Sequence, residues 1–122
     1  MAKYDERGFI AELEDGEVFV FGSNGYGMHG AGAAAMAVRK FGAIMGQAEG
    51  LQGQSYAINT MDGKKVMSEQ IRRFVKFAKE HPELKFLVTE IGCGIAGYTP
   101  EEVAPLFEGV PQNVILPKTF SL

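Results

Sequence analysis

Phe19-Val20-Phe21-Gly22-Ser23-Asn24-Gly25-Tyr26-Gly27-Met28-His29-Gly30-Ala31-Gly32 is the stretch whose reading decides how this chain folds. Val18 to Phe21 is an apolar run that reads as a strand buried on both faces. The run breaks at Gly22 into a glycine-rich loop with Ser23, Asn24 and His29 between the glycines. An alanine-rich helix is expected from about Ala33 to Phe41, because Ala33, Ala34, Ala37, Val38 and Phe41 recur at helical spacing. Strand, glycine loop and helix place backbone N–H groups and a helix N-terminus where an anion can sit. The stretch therefore reads as a phosphate- or nucleotide-binding loop. The plainer alternative is a tight connection that needs glycine only for its dihedrals.

The loop is not a P-loop, since Ala33-Ala34 stands where Lys-Ser or Lys-Thr would follow the last glycine. Gly25, Gly27 and Gly30 satisfy the spacing G-x-G-x-x-G. A Rossmann site also needs an acidic residue about twenty positions on, at a strand end. Glu49 is near that distance but lies in a Gly/Gln-rich loop, which disfavours a dinucleotide site of that type.

Outward from the loop, the chain alternates. Asp15-Gly16 is a turn signal, and strand one runs from about Glu17 to Phe21. The charged segment Met1 to Asp15, with Phe9, Ile10 and Leu13, reads as a short edge strand or a packed arm. Gly42 is a C-cap candidate for the first helix, and Ala43 to Gln54 reads as an irregular loop. Strand two is Ser55 to Asn59, followed by a polar loop from Thr60 to Lys65. Helix two is expected from Ser68, as N-cap, to Glu80, with Ile71, Phe74, Val75 and Ala78 on its buried stripe. Arg72, Arg73, Lys76 and Lys79 make a solvated basic face. Strand three is Phe86 to Ile91, and a second glycine loop, Gly92-Cys93-Gly94-Ile95-Ala96-Gly97, follows at once. Thr99, Pro100 and Glu102 form a capping box with proline at the first helical position. Strand four is about Asn113 to Leu116. This pattern predicts one α/β domain, three-layered, with a mostly parallel sheet between helices. Ligands of such sheets bind beyond the carboxyl ends of the strands, where both glycine loops and the Thr60–Lys65 loop converge.

Composition narrows the function. The 122 residues suffice for one domain and one core. No apolar stretch approaches the roughly 20 residues of a membrane span, and no secretory leader pattern opens the sequence. The single cysteine, Cys93, excludes an internal disulfide and fits a reducing, cytoplasmic compartment. One cysteine with two distant histidines makes no zinc site, so neither metal nor cofactor is expected. Net charge is −3, which argues against non-specific nucleic-acid binding but permits recognition of a modified nucleic acid.

With both loops in view, the chain resembles the macrodomain family of ADP-ribose-binding modules over roughly Val18 to Leu116. Phe21-Gly22-Ser23-Asn24 stands where that family has Asn-Ala-Ala-Asn, with Asn24 on the second Asn. Met28-His29-Gly30-Ala31-Gly32 with Arg39-Lys40-Phe41-Gly42 is similar to the Gly-Ala-Gly loop and helix of one branch. That branch holds the terminal ADP-ribose glycohydrolases and DNA ADP-ribosylglycohydrolase antitoxins. Ile91-Gly92-Cys93-Gly94-Ile95-Ala96-Gly97 looks like its Gly-Cys-Gly-Leu loop. The chain also looks like short bacterial and phage-associated proteins that carry Phe-Gly-Ser-Asn, His-Gly-Ala-Gly-Ala-Ala and Ile-Gly-Cys-Gly together. It departs from the family in three places. The Gly-Asp that holds adenine has no counterpart, Met61 stands near the branch's catalytic lysine, and Ala96 replaces an acidic residue of some members.

The resemblance implies binding of ADP-ribose or an ADP-ribosylated macromolecule, with hydrolysis of an ADP-ribosyl linkage as a further step. A non-catalytic reader or sequestering protein is the first alternative, and another nucleotide- or sugar-phosphate-binding enzyme the second. Ligand contacts are expected from Gly22, Ser23, Asn24, Gly27, His29, Gly30, Ala31 and Gly32, and from Gly92, Cys93, Gly94, Ile95, Ala96, Gly97 and Tyr98. Asn24 suits a ribose diol, and His29 can act on ribose or as a base near neutral pH. With no carboxylate near the distal ribose, turnover would fall to Lys64 or Lys65 through a Schiff-base-like adduct. Cys93 is either a thiolate or, more simply, a small residue that fits, and Tyr98 either stacks on ligand or packs in the core.

Overall fold

The computed structural model describes residues 3–4 and 9–120. Its centre is a five-stranded sheet in the order β4-β5-β3-β6-β7. The strands are β3 (Glu17–Ser23), β4 (Gly50–Gln52), β5 (Ser55–Asn59), β6 (Lys85–Val88) and β7 (Val114–Ile115). β3 pairs in parallel with β5 and β6, and β6 pairs in parallel with β7. Only β4 runs antiparallel, folded back on β5 through a two-residue connection. A separate ribbon of β1 (Lys3–Tyr4) and β2 (Ile10–Glu12) forms within the expected N-terminal arm, and Leu13 of the same arm packs on the sheet's second core. Residues 1–2 and 5–8 of that arm lie outside the described residues.

Side-chain alternation along the strands builds two cores. Val18, Val20, Tyr56, Ile58, Phe86 and Val88 face one way, towards Met67, Ile71, Phe74 and Ala78 of helix α2 (Lys64–Glu80). Val103 of helix α3 (Pro100–Val103) and Phe107 of the 3-10 turn Ala104–Phe107 complete that core. Phe74 meets Tyr56, Phe86 and Phe107 edge-on, the arrangement that aromatic quadrupoles favour. Phe19, Phe21, Ala57 and Leu87 face the other way, against Ala34 and Ala37 of helix α1 (Gly32–Lys40) and Ile10 of β2. Small alanines let α1 lie close on two phenylalanines. The expected α/β architecture with a mostly parallel sheet between helices is present.

Four details differ from the reading of the sequence. α2 begins at Lys64, not Ser68, so Ser68 lies inside the helix and Gly63 is the N-cap, with no side-chain capping bond. The segment read as an irregular loop contains β4. β3 continues two residues past Phe21, because Gly22 and Ser23 still pair with Ile58 and Asn59. β6 stops at Val88, and after a last bond from Thr89 N to Val20 O the chain turns on itself, with Ile91 N donating to Thr89 O at 2.7 Å and Cys93 N to Glu90 O at 3.2 Å. The capping box stands as read: Thr99 Oγ1 accepts from Glu102 N at 3.2 Å and Glu102 Oε1 from Thr99 N at 2.9 Å.

The outer edge of β4 is covered by a side chain. Gln47 Nε2 donates to Glu49 O at 3.3 Å and to Leu51 O at 3.0 Å. At the other end of the fold, Asn113 Nδ2 donates to Ala78 O, His81 O and Leu84 O, tying the C-terminus of α2 to the start of β7.

Candidate functional site

The connections fix where a ligand can enter. From β3 the chain passes to α1 on one face of the sheet, and from β6 it passes to α3 on the opposite face. β3 and β6 are neighbours, so the loops after them leave towards opposite faces at the carboxyl ends of the two strands, the place where an open α/β sheet offers a ligand its crevice. The two glycine loops are its banks. The loop after β5 joins from the side, since Thr60 N and Thr60 Oγ1 both donate to Ser23 O, at 3.0 and 3.3 Å. Gly22 lies against the Thr60 and Ile91 side chains, so all three loops touch at their base.

Within the first loop, Asn24 and His29 are engaged by the protein itself. Asn24 Oδ1 accepts from the amides of Tyr26 and Met28, each at 3.1 Å, while its Nδ2 donates to Met28 O at 3.2 Å. Its amide thus organises its own loop. His29 is only 2% exposed. Its Nδ1 sits 2.7 Å from Ser23 Oγ and its Nε2 3.1 Å from Gln52 Oε1. A carbonyl oxygen accepts only, so assigning that atom as oxygen puts the ring proton on Nε2 and makes Ser23 the donor to Nδ1. Gln52 also accepts from Ile44 N at 2.8 Å and donates to Gln47 O and Gly50 O. The expected base is therefore a buried strut between β3 and β4, and Ser23 is part of it.

Gln52 was not legible as a partner, because nothing local in its Gly/Gln-rich segment marks it. Asn59 and Asp62 were likewise missed: Asn59 Nδ2 donates to Asp62 Oδ2 at 2.7 Å, which shapes the loop after β5. The three-residue spacing in an Asn-x-x-Asp turn is the signal that was available.

The glycines separate by cause. Gly22, Gly27 and Gly92 have neighbours where a side chain would go: Thr60 and Ile91, the Gly46 backbone, and Met67 with Tyr98. Gly32 and Gly97 sit at φ +57 and +81, where a β-carbon is strained. Gly30 and Gly94 have neither reason. Their φ angles are not positive, and nothing lies within 4 Å of the place a β-carbon would take. One stands on each bank of the crevice, each presenting bare backbone to the outside.

Around them, Ala31 is the N-cap of α1 and offers no side-chain acceptor to the helix amides. α1 and α2 thus both begin uncapped by side chains at this end of the sheet, whereas α3 is closed by its own box. Lys64 and Lys65 fall in the exposed first turn of α2, and Lys64 is near enough to Glu102 to act on its carboxyl. The Thr99 amide that Glu102 accepts from holds that carboxyl below its usual range, helped by the Thr99 hydroxyl and by Lys64. Cys93 donates to Ile91 O at 3.6 Å. Burial, then the carboxylates of Glu90, Glu101 and Glu102, push its thiol up, which disfavours a thiolate. Tyr98 packs half-buried on Gly92 and the first core, and Ala96 is half-buried beside it. Ile95 projects from the second loop at 84% exposure.

Two open grooves lie elsewhere. One of about 540 Å³ runs past Ala78, Pro82, Leu84, Pro111 and Asn113. One of about 430 Å³ runs past Glu49, Tyr56, Arg73 and Phe77, where Arg73 grips Glu49 with two hydrogen bonds of 2.7 and 2.9 Å. Neither is lined by the loops after β3, β5 or β6, and neither gathers a nucleophile with a base. Among the described residues no three His, Cys, Asp or Glu side chains come together as metal ligands, and no helix is long and apolar enough to cross a membrane. No family model, curated protein or solved structure matches the chain.

Proposed function

We propose that the crevice between β3 and β6 binds ADP-ribose, free or carried on a macromolecule, and that the domain is a macrodomain-like reader of that group. The observation that carries this reading is the pair Gly30 and Gly94. Neither the fold's dihedrals nor its packing asks for glycine at these positions. A ligand that lies close against the backbone of both banks does ask for it. A diphosphate fits that demand, with the uncapped N-terminus of α1 supplying amides and a favourable dipole on one side. Lys64 and Lys65 add cationic charge from the next loop.

Binding is the part of the function that the geometry supports best. Asn24 and His29, two of the four residues proposed for chemistry, are spent on internal hydrogen bonds. Lys64 and Lys65 remain for covalent attack on an opened ribose, and borohydride trapping on ADP-ribosylated DNA or peptide tests that step. Calorimetry with ADP-ribose, AMP and NAD tests the main reading. ADP-ribose is expected to bind tightest, and a flat titration with ADP-ribose would sink it.

A further inference from the structure

Helix α2 carries basic charge out of proportion to its length. Six of the chain's twelve Lys and Arg residues lie on it, Lys64, Lys65, Arg72, Arg73, Lys76 and Lys79, against two acids, Glu69 and Glu80. The helix thus stands at +4, and the rest of the chain, with six basic and thirteen acidic residues, at −7. At about 100° per residue, Lys65, Arg72, Lys76 and Lys79 fall within about 60° of the helix circumference and span about 21 Å along its axis. All four are exposed, and none has an ion-pair partner among the described residues. Glu69, Glu80 and Arg73 stand to one side of this stripe, where Glu49 holds Arg73. Met67, Ile71, Phe74 and Ala78, on the other side of the helix, are buried, so the stripe faces away from the core.

We infer that this stripe is a docking surface for double-stranded nucleic acid, held through its phosphates with no preference for sequence. A duplex presents a rigid line of charge, one per about 1.7 Å of axis, and a straight row of cations complements it. No aromatic ring is exposed along α2 to stack on the bases that a single strand offers. No large apolar side chain is exposed there to enter a lipid surface either. Screening over about 8 Å at physiological salt lets the stripe act locally while the acids elsewhere on the chain are muted. Arg72, Lys76 and Lys79 lie along the helix away from the crevice, so this contact does not need ADP-ribose binding.

Fluorescence anisotropy of the whole chain with a short labelled DNA duplex tests it. Log affinity is expected to fall against log salt with a slope of about −3 to −4, as four cations on phosphates require. Arg72→Glu with Lys76→Glu is expected to weaken duplex binding by about tenfold or more and to leave ADP-ribose calorimetry unchanged. Arg72→Gln with Lys76→Gln, the gentler change, is expected to flatten the slope by about two. Arg39→Glu with Lys118→Glu makes the same change in net charge off α2 and is expected to shift duplex binding by less than about threefold. No duplex binding by wild type, an unchanged slope in the Gln pair, or equal losses in the two Glu pairs overturns the inference. So does tighter binding to the single strand, or binding to phosphatidylserine vesicles and not to duplex. A wild type that binds duplex but not ADP-ribose keeps the stripe and removes the reading of the crevice.

Discussion

His29 and Gln52 share a buried hydrogen bond of 3.1 Å across 23 residues of sequence. It joins the glycine loop to the strand that folds back along the sheet's edge. Through Ser23 on the other ring nitrogen, the same imidazole is fixed to the end of the central strand.

A strut of this kind is read in stability. His29→Ala leaves the Ser23 hydroxyl and the Gln52 carbonyl short of a partner and opens a cavity against Phe21, whose ring the imidazole meets edge-on. The expected loss is about 2–4 kcal/mol, with about 1–3 kcal/mol for Gln52→Ala. Urea unfolding of both single variants and the double variant measures it. The double variant should lose less than the two singles added, because the pair is coupled. Unchanged midpoints would show that the imidazole is not structural.

Gly30→Val and Gly94→Val should abolish ADP-ribose binding while leaving the melting temperature within a few degrees of wild type. A β-carbon at either position meets no protein atom within 4 Å and requires no positive φ. Gly32→Val, at φ +57, should destabilise as well. Normal binding by both Gly30→Val and Gly94→Val would move the site elsewhere.

Replacing Lys64 and Lys65 together by alanine should weaken ADP-ribose by about three- to tenfold and flatten the dependence of affinity on salt, as expected of exposed cations acting through water. Calorimetry at two ionic strengths separates this from a covalent role, which would abolish turnover and leave binding nearly intact.

Burial, with a smaller push from Glu49, raises Tyr56 to about 12 from an ordinary 10.0. The unfolded chain therefore loses this proton first, and stability falls as pH rises from 10.0 through about 12. The loss is on the order of 2 kcal/mol by the top of that window. Tyr56→Phe should remove this slope, and urea midpoints of the two proteins between neutral pH and pH 11.5, about the practical limit, would show it. Parallel curves would place the phenol in water.

The parts of the fold written in local periodicity were legible. Val18 to Phe21 and Tyr56 to Ile58 are apolar because both faces are covered. Thr99 and Glu102 announce their helix because capping is a contact between neighbours in sequence. β4 was not legible, since Gly50 and Gln52 have no strand propensity and Gln52 is held by bonds to His29 and Ile44. The start of α2 was missed because Gly63 caps with no side chain, while Ser68 carries the usual signature five residues too late. In the site, the sequence placed the loops but not the allocation of their polar groups. Asn24 and His29 had the right chemistry for a ribose, and only the three-dimensional partners show that it is already used.

Gln47 has a consequence for the protein in a crowded solution. A sheet ending in a bare strand invites another chain to add itself, and repetition of that step builds fibrils. Here the outward carbonyls of Glu49 and Leu51 are already taken by one amide nitrogen. The far edge, β7, is two residues long and lies between Pro111 and Pro117, which offer a newcomer no amide hydrogens. Gln47→Ala would keep the fold and uncover that template, and light scattering is expected to show the variant growing into larger particles faster than the parent chain.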